Sequence, residues 1–214
     1  DATTIERILY LTLQLLELDM PMVIALNMMD EVKENGDSID VKALESALGV
    51  PVVPIAASKN QGMDELAQRV LAMGRTKQRP TRHHVCGGPM QQALDEAAAV
   101  VAGNVRGTAY SPMFAAVKLI ERDPLARDAL GVTPEQQERI EVIAQRMERV
   151  MDTDRDAALA DMRYTYIEAL CGKAVRRAGQ SKAQHRSEVL DRILTHRVLS
   201  LPIFFGIMFL IFYI

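Results

Sequence analysis

Tryptophan is absent from this 214-residue chain, and only ten residues are aromatic, five Phe and five Tyr. Their distribution is uneven: Phe204, Phe205, Phe209, Phe212 and Tyr213 all fall in the last 17 residues, a stretch with no Asp, Glu, Lys or Arg. Cysteine is nearly absent too. Cys86 and Cys171 are too few for a disulfide framework. There is no excess of positive charge, since the net charge of −3 and pI near 5.9 exclude a strongly basic nucleic-acid binder. With 49% hydrophobic and 25% charged residues, a disordered polyelectrolyte and a collagen-like repeat are excluded as well. No initiator Met and no signal peptide precede Asp1-Ala2-Thr3, so both ends read as cut and the chain as an internal piece of a longer membrane protein.

What is present divides into a charged body and an apolar tail. From Val198 to Ile214 the run VLSLPIFFGIMFLIFYI spans roughly 25 Å as a helix, just short of a ~30 Å hydrocarbon core. A buried C-terminal core helix is the alternative, but all-round Phe-rich hydrophobicity against a charged flank favours the start of a membrane span. That flank, Lys173 to Arg197, holds seven basic residues against two acidic ones, which places the body on the cytoplasmic side; a solvated helix face is compatible with the same charges. His83, His84 and Cys86 offer three metal-ligand types without a fourth partner, a weak signal.

Within the body, Thr3 and Glu6 have capping-box spacing ahead of an apolar helix through Ile5, Ile8, Leu9, Leu13, Leu15 and Leu16 that ends near Asp19. MVIALN, after Pro21, reads as a strand buried on both faces. Asp40 caps a helix through Leu48 with Gly49 as its stop, and PVVPIAA (51–57) is a second buried strand whose prolines suggest an edge or early position. A helix from Gly62 to Gly74 carries Met63, Leu66, Val70 and Met73 on one face. Helix, strand, helix, strand, helix is half of a doubly wound α/β domain.

A basic Pro- and Gly-containing linker (75–89) follows, and then the pattern is helical throughout 90–195. Ser111-Pro112, Asp123-Pro124 and Thr133-Pro134-Glu135-Gln136 each mark a helix start by side-chain cap and N1 proline, and a last soluble helix runs from about Arg155 to Arg177.

Chemistry is expected at the carboxyl ends of the two strands, where open α/β sheets bind ligands. Asn27-Met28-Met29-Asp30 follows the first and Ala56-Ala57-Ser58 the second. A carboxylate there accepts from both the ring N–H and the exocyclic amine of guanine, and adenine would leave it unpaired. A plain polar turn after a strand is the alternative for Asn27 and Asp30.

These residues resemble the guanine-specificity motif Asn-Lys-x-Asp of small GTPases and the Ser-Ala-Lys-type motif that follows it. With Met28 in place of Lys, and with Asp1-Ala2-Thr3 and ERILYLTLQLLELDMP before it, the chain resembles the FeoB family of bacterial ferrous iron transporters along its whole length. The resemblance implies the C-terminal part of a P-loop GTPase domain (1–74), an all-α domain with guanine-nucleotide dissociation inhibitor character (90–195) and the start of the first transmembrane helix (196–214). It implies that Asn27 supports the base loop, Asp30 reads guanine and Met28 packs on the base plane. The backbone at Ala57, with Ala56 and Ser58, would meet the guanine carbonyl; Ala56 stands where Ser is more usual. GTP or GDP, Fe²⁺ as cargo and a lipid bilayer are the implied partners, with residues 1–197 cytoplasmic and homo-oligomerisation left open.

No Gly-x-x-x-x-Gly-Lys-Ser/Thr occurs in the chain, so hydrolysis and Mg²⁺ binding are expected of the intact parent, and this segment alone is expected to be inactive. Two other classes compete. One is a membrane-anchored regulatory protein with a degenerate, non-hydrolysing nucleotide fold; the other is a soluble ribosome- or tRNA-associated GTPase whose tail is core.

Overall fold

The computed structural model describes residues 1–81, 87–178 and 200–213. His83, His84 and Cys86, and most of the basic stretch before the tail, lie outside the described residues.

The first half is built on two parallel strands, β1 (Ile24–Leu26) and β3 (Val52–Pro54), paired Ile24↔Val52 through Leu26↔Pro54. Helix α1 (Ile5–Glu17) precedes them and buries Ile5, Leu9 and Leu13, spaced one turn apart. Its start differs from the capping-box expectation. Thr4 is the N-cap residue, so Glu6 falls at N2 and cannot close the box, while the Asp1 carboxylate takes both the N–H and the hydroxyl of Thr3, at 2.9 and 2.7 Å. The short α2 (Met29–Glu34) leads to β2 (Ser38–Ile39), and α3 (Val41–Leu48) starts and stops at the expected residues. Asp40 accepts from the Ala43 N–H at 3.0 Å, and Gly49 ends the helix at φ +67°.

Burial is one-sided where the sequence suggested two. Leu26 is buried but Ala25 is exposed, and Ile8, Leu11 and Leu15 of α1 face solvent. Helix α4 (Met63–Thr76) forms over the expected span and two residues beyond it, yet buries none of its side chains, with Val70 51% exposed.

The second half is helical: α5 (Gly88–Val101), α6 (Pro112–Ile120), α7 (Pro124–Ala129), α8 (Pro134–Met151) and α9 (Arg155–Ala174). Ser111, Asp123 and Thr133 cap α6, α7 and α8 ahead of their N1 prolines, and Thr133 with Gln136 completes a reciprocal capping box. Ala97, Ala115, Ala116, Ala144 and Ala158 are fully buried, and their small side chains let the helices approach closely around Leu94, Ile120 and Ile140.

Helix α9 joins the halves. Its buried stripe runs Arg155, Ala158, Leu159, Arg163, Ile167, Leu170, Cys171, Ala174; the early members belong to the helical core and the late ones to a core shared with α1, β1 and α3. The sequence places its end near Arg177, but the backbone turns extended at Val175. Residues Val175–Arg176 form β4, antiparallel to β2. Asp40 N–H donates to the Ala174 carbonyl at 2.7 Å and Ala178 N–H to Asp37 Oδ1 at 2.8 Å, partners that a continued helix would forfeit.

Two arginines on that stripe are buried with carboxylates. Arg155 is forked onto Glu141 by two bonds of 2.9 Å and reaches Glu148 at 2.7 Å. Arg163, 2% exposed, meets Glu17 at 3.0–3.2 Å and lies 5.6 Å from the centre of the Tyr10 ring. The tail forms α10 (Ser200–Tyr213), apolar around its circumference. At 14 residues it is about 21 Å long, and among the described residues no helix is long and apolar enough to cross a membrane. Of the expected start of a span at 196–214, residues 200–213 are described, and they are helical.

Replacing Arg163 with Met leaves the Glu17 carboxylate largely buried without its guanidinium, so the expected loss is about 3–5 kcal/mol in urea unfolding. The Glu17→Gln/Arg163→Met double variant recovers most of it, whereas a single variant within experimental error of the parent would remove the pair from the account.

Acid should act through the other arginine. Hydrogen bonds from Arg155 hold the Glu141 and Glu148 carboxyls below the ordinary value of 4.5, while burial lifts Glu17 above it against the pull of Arg163. The first two contribute stability above pH 4.5 that is lost as pH falls further; the ionised Glu17 contributes with the opposite sign. Tm is therefore expected to drop below pH 4.5, and Glu141→Gln to lower Tm at pH 7 while flattening that acid limb.

Candidate functional site

The ends of β1 and β3 lie side by side because the strands are parallel and in register, and the residues after each are stitched to the other. Ile55 N–H donates to Leu26 O at 2.9 Å and Met29 N–H to Ile55 O at 3.2 Å. Asn27 crosses between them, its Oδ1 accepting from the Ala57 N–H at 3.1 Å while its own carbonyl accepts from Ala2 N–H at 2.9 Å. An Asn at this position thus fixes one turn against the other.

Met28 adopts the left-handed region at φ +68° and is 37% exposed, which reverses the chain so that α2 begins at once and Asp30 sits in its first turn. On the second strand end, Ala56 is buried and exchanges two 3.1 Å backbone bonds with Gln61. These close a loop containing the 3₁₀ turn Ala57–Lys59. Asn60 at φ +52° and Gly62 at φ +76° complete it, and a Cβ at Gly62 would lie 2.5 Å from the Pro54 carbonyl oxygen.

All six residues expected at the site, Asn27, Met28, Asp30, Ala56, Ala57 and Ser58, therefore meet at one sheet end. Two details differ from expectation. The Ala57 N–H is engaged by Asn27 Oδ1, so the next N–H along the 3₁₀ turn is that of Ser58. The Asp30 carboxylate, only 13% exposed, is held by Lys59, with Nζ 2.9 Å from Oδ2. Lys59 also reaches Glu34 at 3.0 Å. The Lys59 hydrogen bond holds the Asp30 carboxyl below its ordinary range, and Asp30 in turn raises the Lys59 ammonium. Sequence reasoning passed over Lys59 and Glu34. The only signal was the i, i+4 spacing of Asp30 and Glu34 on one helix face.

Fold and site together define a parallel α/β unit with its two strand-end turns side by side, joined to a helical bundle through α9. Residues 1–70 match the family described as ferrous iron transport protein B, and residues 87–176 match the FeoB cytosolic helical domain. The Fe(2+) transporter FeoB of Legionella pneumophila is 36% identical over 213 residues, and that of Escherichia coli 32%, each alignment covering 99% of this chain and 26% of the relative. The chain thus spans about a quarter of the length of these curated relatives. A point mutant of S. thermophilus NFeoB bound to GDP superposes with a TM-score of 0.74 at 31% identity, over 82% of this chain and 67% of that one. The S. thermophilus form bound to GDP·AlF4⁻ and K⁺ gives 0.69 at 32% identity, over 80% and 66%. The chain belongs to the FeoB family.

Gly62→Ala tests how firmly the second loop is held. The added Cβ must displace Pro54 O or open the loop, and the positive φ adds strain, so a loss of about 1–3 kcal/mol is expected in urea unfolding. Faster amide exchange at Gln61 than in the parent should accompany it; an unchanged midpoint would show that the loop yields freely.

Proposed function

We propose that this chain supplies the guanine-reading strand ends, the helical coupling domain and the approach to the membrane of a GTP-dependent ferrous iron transporter. The observation that carries the reading is the joining of Asn27, Asp30 and the Ala57–Ser58 backbone at one sheet end. The Asp30 carboxylate would accept from the guanine ring N–H and exocyclic amine. Asn27, spent on the Ala57 N–H, holds the second loop in place. The Ser58 N–H is then the donor offered to the guanine carbonyl, with the left-handed Met28 covering the base plane.

In this reading residues 1–74 belong to the nucleotide domain, 75–89 are linker, 90–195 are the helical domain, and 196–214 begin the first span of a multi-pass protein of the cytoplasmic membrane, with 1–197 on the cytoplasmic side. Phosphate cradling, Mg²⁺ coordination and hydrolysis fall to residues of a longer parent, because the chain has no phosphate-binding loop of the Walker type. GTP and GDP states would then bias Fe²⁺ passage through the contacts of α9.

The test is Asp30→Asn in the complete transporter. The amide turns one acceptor into a donor, so guanine nucleotide binding should weaken about 10- to 100-fold, while xanthine nucleotides, which offer an oxygen in place of the exocyclic amine, should gain. Radioactive Fe²⁺ uptake should fall with guanine nucleotide and recover with xanthine nucleotide. Unchanged guanine selectivity and uptake would sink the role given to Asp30.

A further inference from the structure

We infer that Lys59 is a built-in competitor for the guanine edge, exchanging between Asp30 and Glu34, and that this exchange sets nucleotide affinity and release. The inference rests on the base-reading role of Asp30 and concerns how that carboxylate is made available.

The geometry is a three-body arrangement. Asp30 lies in the first turn of α2 and Glu34 at its last residue, so their carboxylates project from one face about a turn apart. Lys59, at the end of the 3₁₀ turn from the other strand, places Nζ 2.9 Å from Asp30 Oδ2 and 3.0 Å from Glu34 Oε1. Its flexible stem and compact ammonium can change partners by small torsional moves.

A base that uses Asp30 through both oxygens must take Oδ2, the atom that Lys59 holds. A bound guanine and the Lys59 ammonium therefore compete for Oδ2, each weakening the other's hold on it. The competition is soft, because Lys59 is 47% exposed and ion pairs in contact with water are weak. Glu34, 70% exposed, makes it softer, since the displaced ammonium keeps a carboxylate within reach. Lys59 thus lowers the affinity for guanine without closing the site, and Glu34 limits how far it lowers it. On release of the base, Lys59 returns to Asp30 and neutralises a carboxylate that would otherwise stand without a counter-ion at a mostly buried position.

The arrangement predicts opposite signs for its two outer members. In the complete transporter, Lys59→Met should lower the Kd for GDP about two- to fivefold, because Asp30 no longer has an internal partner. Glu34→Gln should raise it by a similar factor, because Lys59 then has only Asp30. The Glu34→Gln/Lys59→Met double variant should match Lys59→Met, since Glu34 acts only through the lysine. Lys59→Arg, which keeps the charge, should stay near the parent. Raising ionic strength should bring parent and Lys59→Met together, a readout that a merely structural lysine would not move.

Measuring Asp30→Asn alongside separates the two levels. If GDP binding does not depend on Asp30, the base-reading role itself fails. If it does depend on Asp30, but Lys59→Met weakens GDP binding or leaves it unchanged, the competitor role is overturned and Lys59 is a support for the Asp30 side chain or a bystander. Non-additive behaviour of the opposite kind, with Glu34→Gln acting fully in the absence of Lys59, overturns it equally.

Discussion

The structure depends on a guanidinium placed where an aliphatic side chain would be expected. Arg163 lies midway along α9, on the stripe that is apolar before and after it, and is 2% exposed. An ion of that size has no tolerable position in the interior unless a partner is carried to it, and the partner is Glu17, the last residue of α1. The C-terminal end of α1 is therefore fixed to the middle of α9. Its carbonyl is fixed as well, because the Ser111 hydroxyl donates to Glu17 O at 2.7 Å while Ser111 Oγ accepts from the Phe114 N–H at 3.0 Å to cap α6. One residue thus closes the end of a helix in the first half and opens a helix in the second.

From that junction the two cores follow. Upstream of Arg163, α9 contributes Ala158 and Leu159 to the alanine-rich helical core; downstream it contributes Ile167, Leu170, Cys171 and Ala174 to the core beneath β1 and α3. Tyr166 adds a bond from its hydroxyl to the Ala47 carbonyl, and β4 hydrogen-bonds to β2 in the loop that leads to Asp40. The loop that carries β2 follows α2 directly, so the helix bearing Asp30 and Glu34 is separated from a strand of the α9 terminus by only a few residues. The β2–β4 ladder thus ties the chain that follows α2 to the end of α9.

Features set by neighbours in sequence were legible from the residues. Asp40, Ser111, Asp123 and the Thr133/Gln136 pair cap helices where their side-chain chemistry places them, and Gly49 ends one by its tolerance of positive φ. The six residues at the strand ends meet because parallel pairing in register brings the two turns together. What was not legible depends on distant chain. β4 forms in place of the last helical turn because β2, more than 130 residues earlier, offers a ladder. Arg155 opens the buried stripe of α9 and Arg163 interrupts its apolar period, so a stripe that is continuous in space reads as broken in sequence. Thr3 misled for a local reason, since Asp1 competes for its hydroxyl. The apolar residues Ile8, Leu11, Leu15 and Val70 have the spacing of buried faces yet are open to solvent, because periodicity specifies a face and says nothing of what covers it.

The two kinds of ion pair in the molecule are divided by dielectric. At the helix junction the cations are screened from water, Arg163 at 3% and Arg155 at 6% side-chain exposure, so breaking either pair strands a buried guanidinium. At the strand ends it is the cation, Lys59, that stands against solvent, where it loses little by leaving one carboxylate and a second acceptor waits within reach. A site that must take up and release a ligand cannot use the first kind, because the unpaired state would be too costly to populate. A scaffold that holds two cores in fixed relation cannot use the second. Arginine, with its planar fork, holds the two buried positions on α9, and lysine, with its mobile point charge, stands between two acceptors at the strand ends.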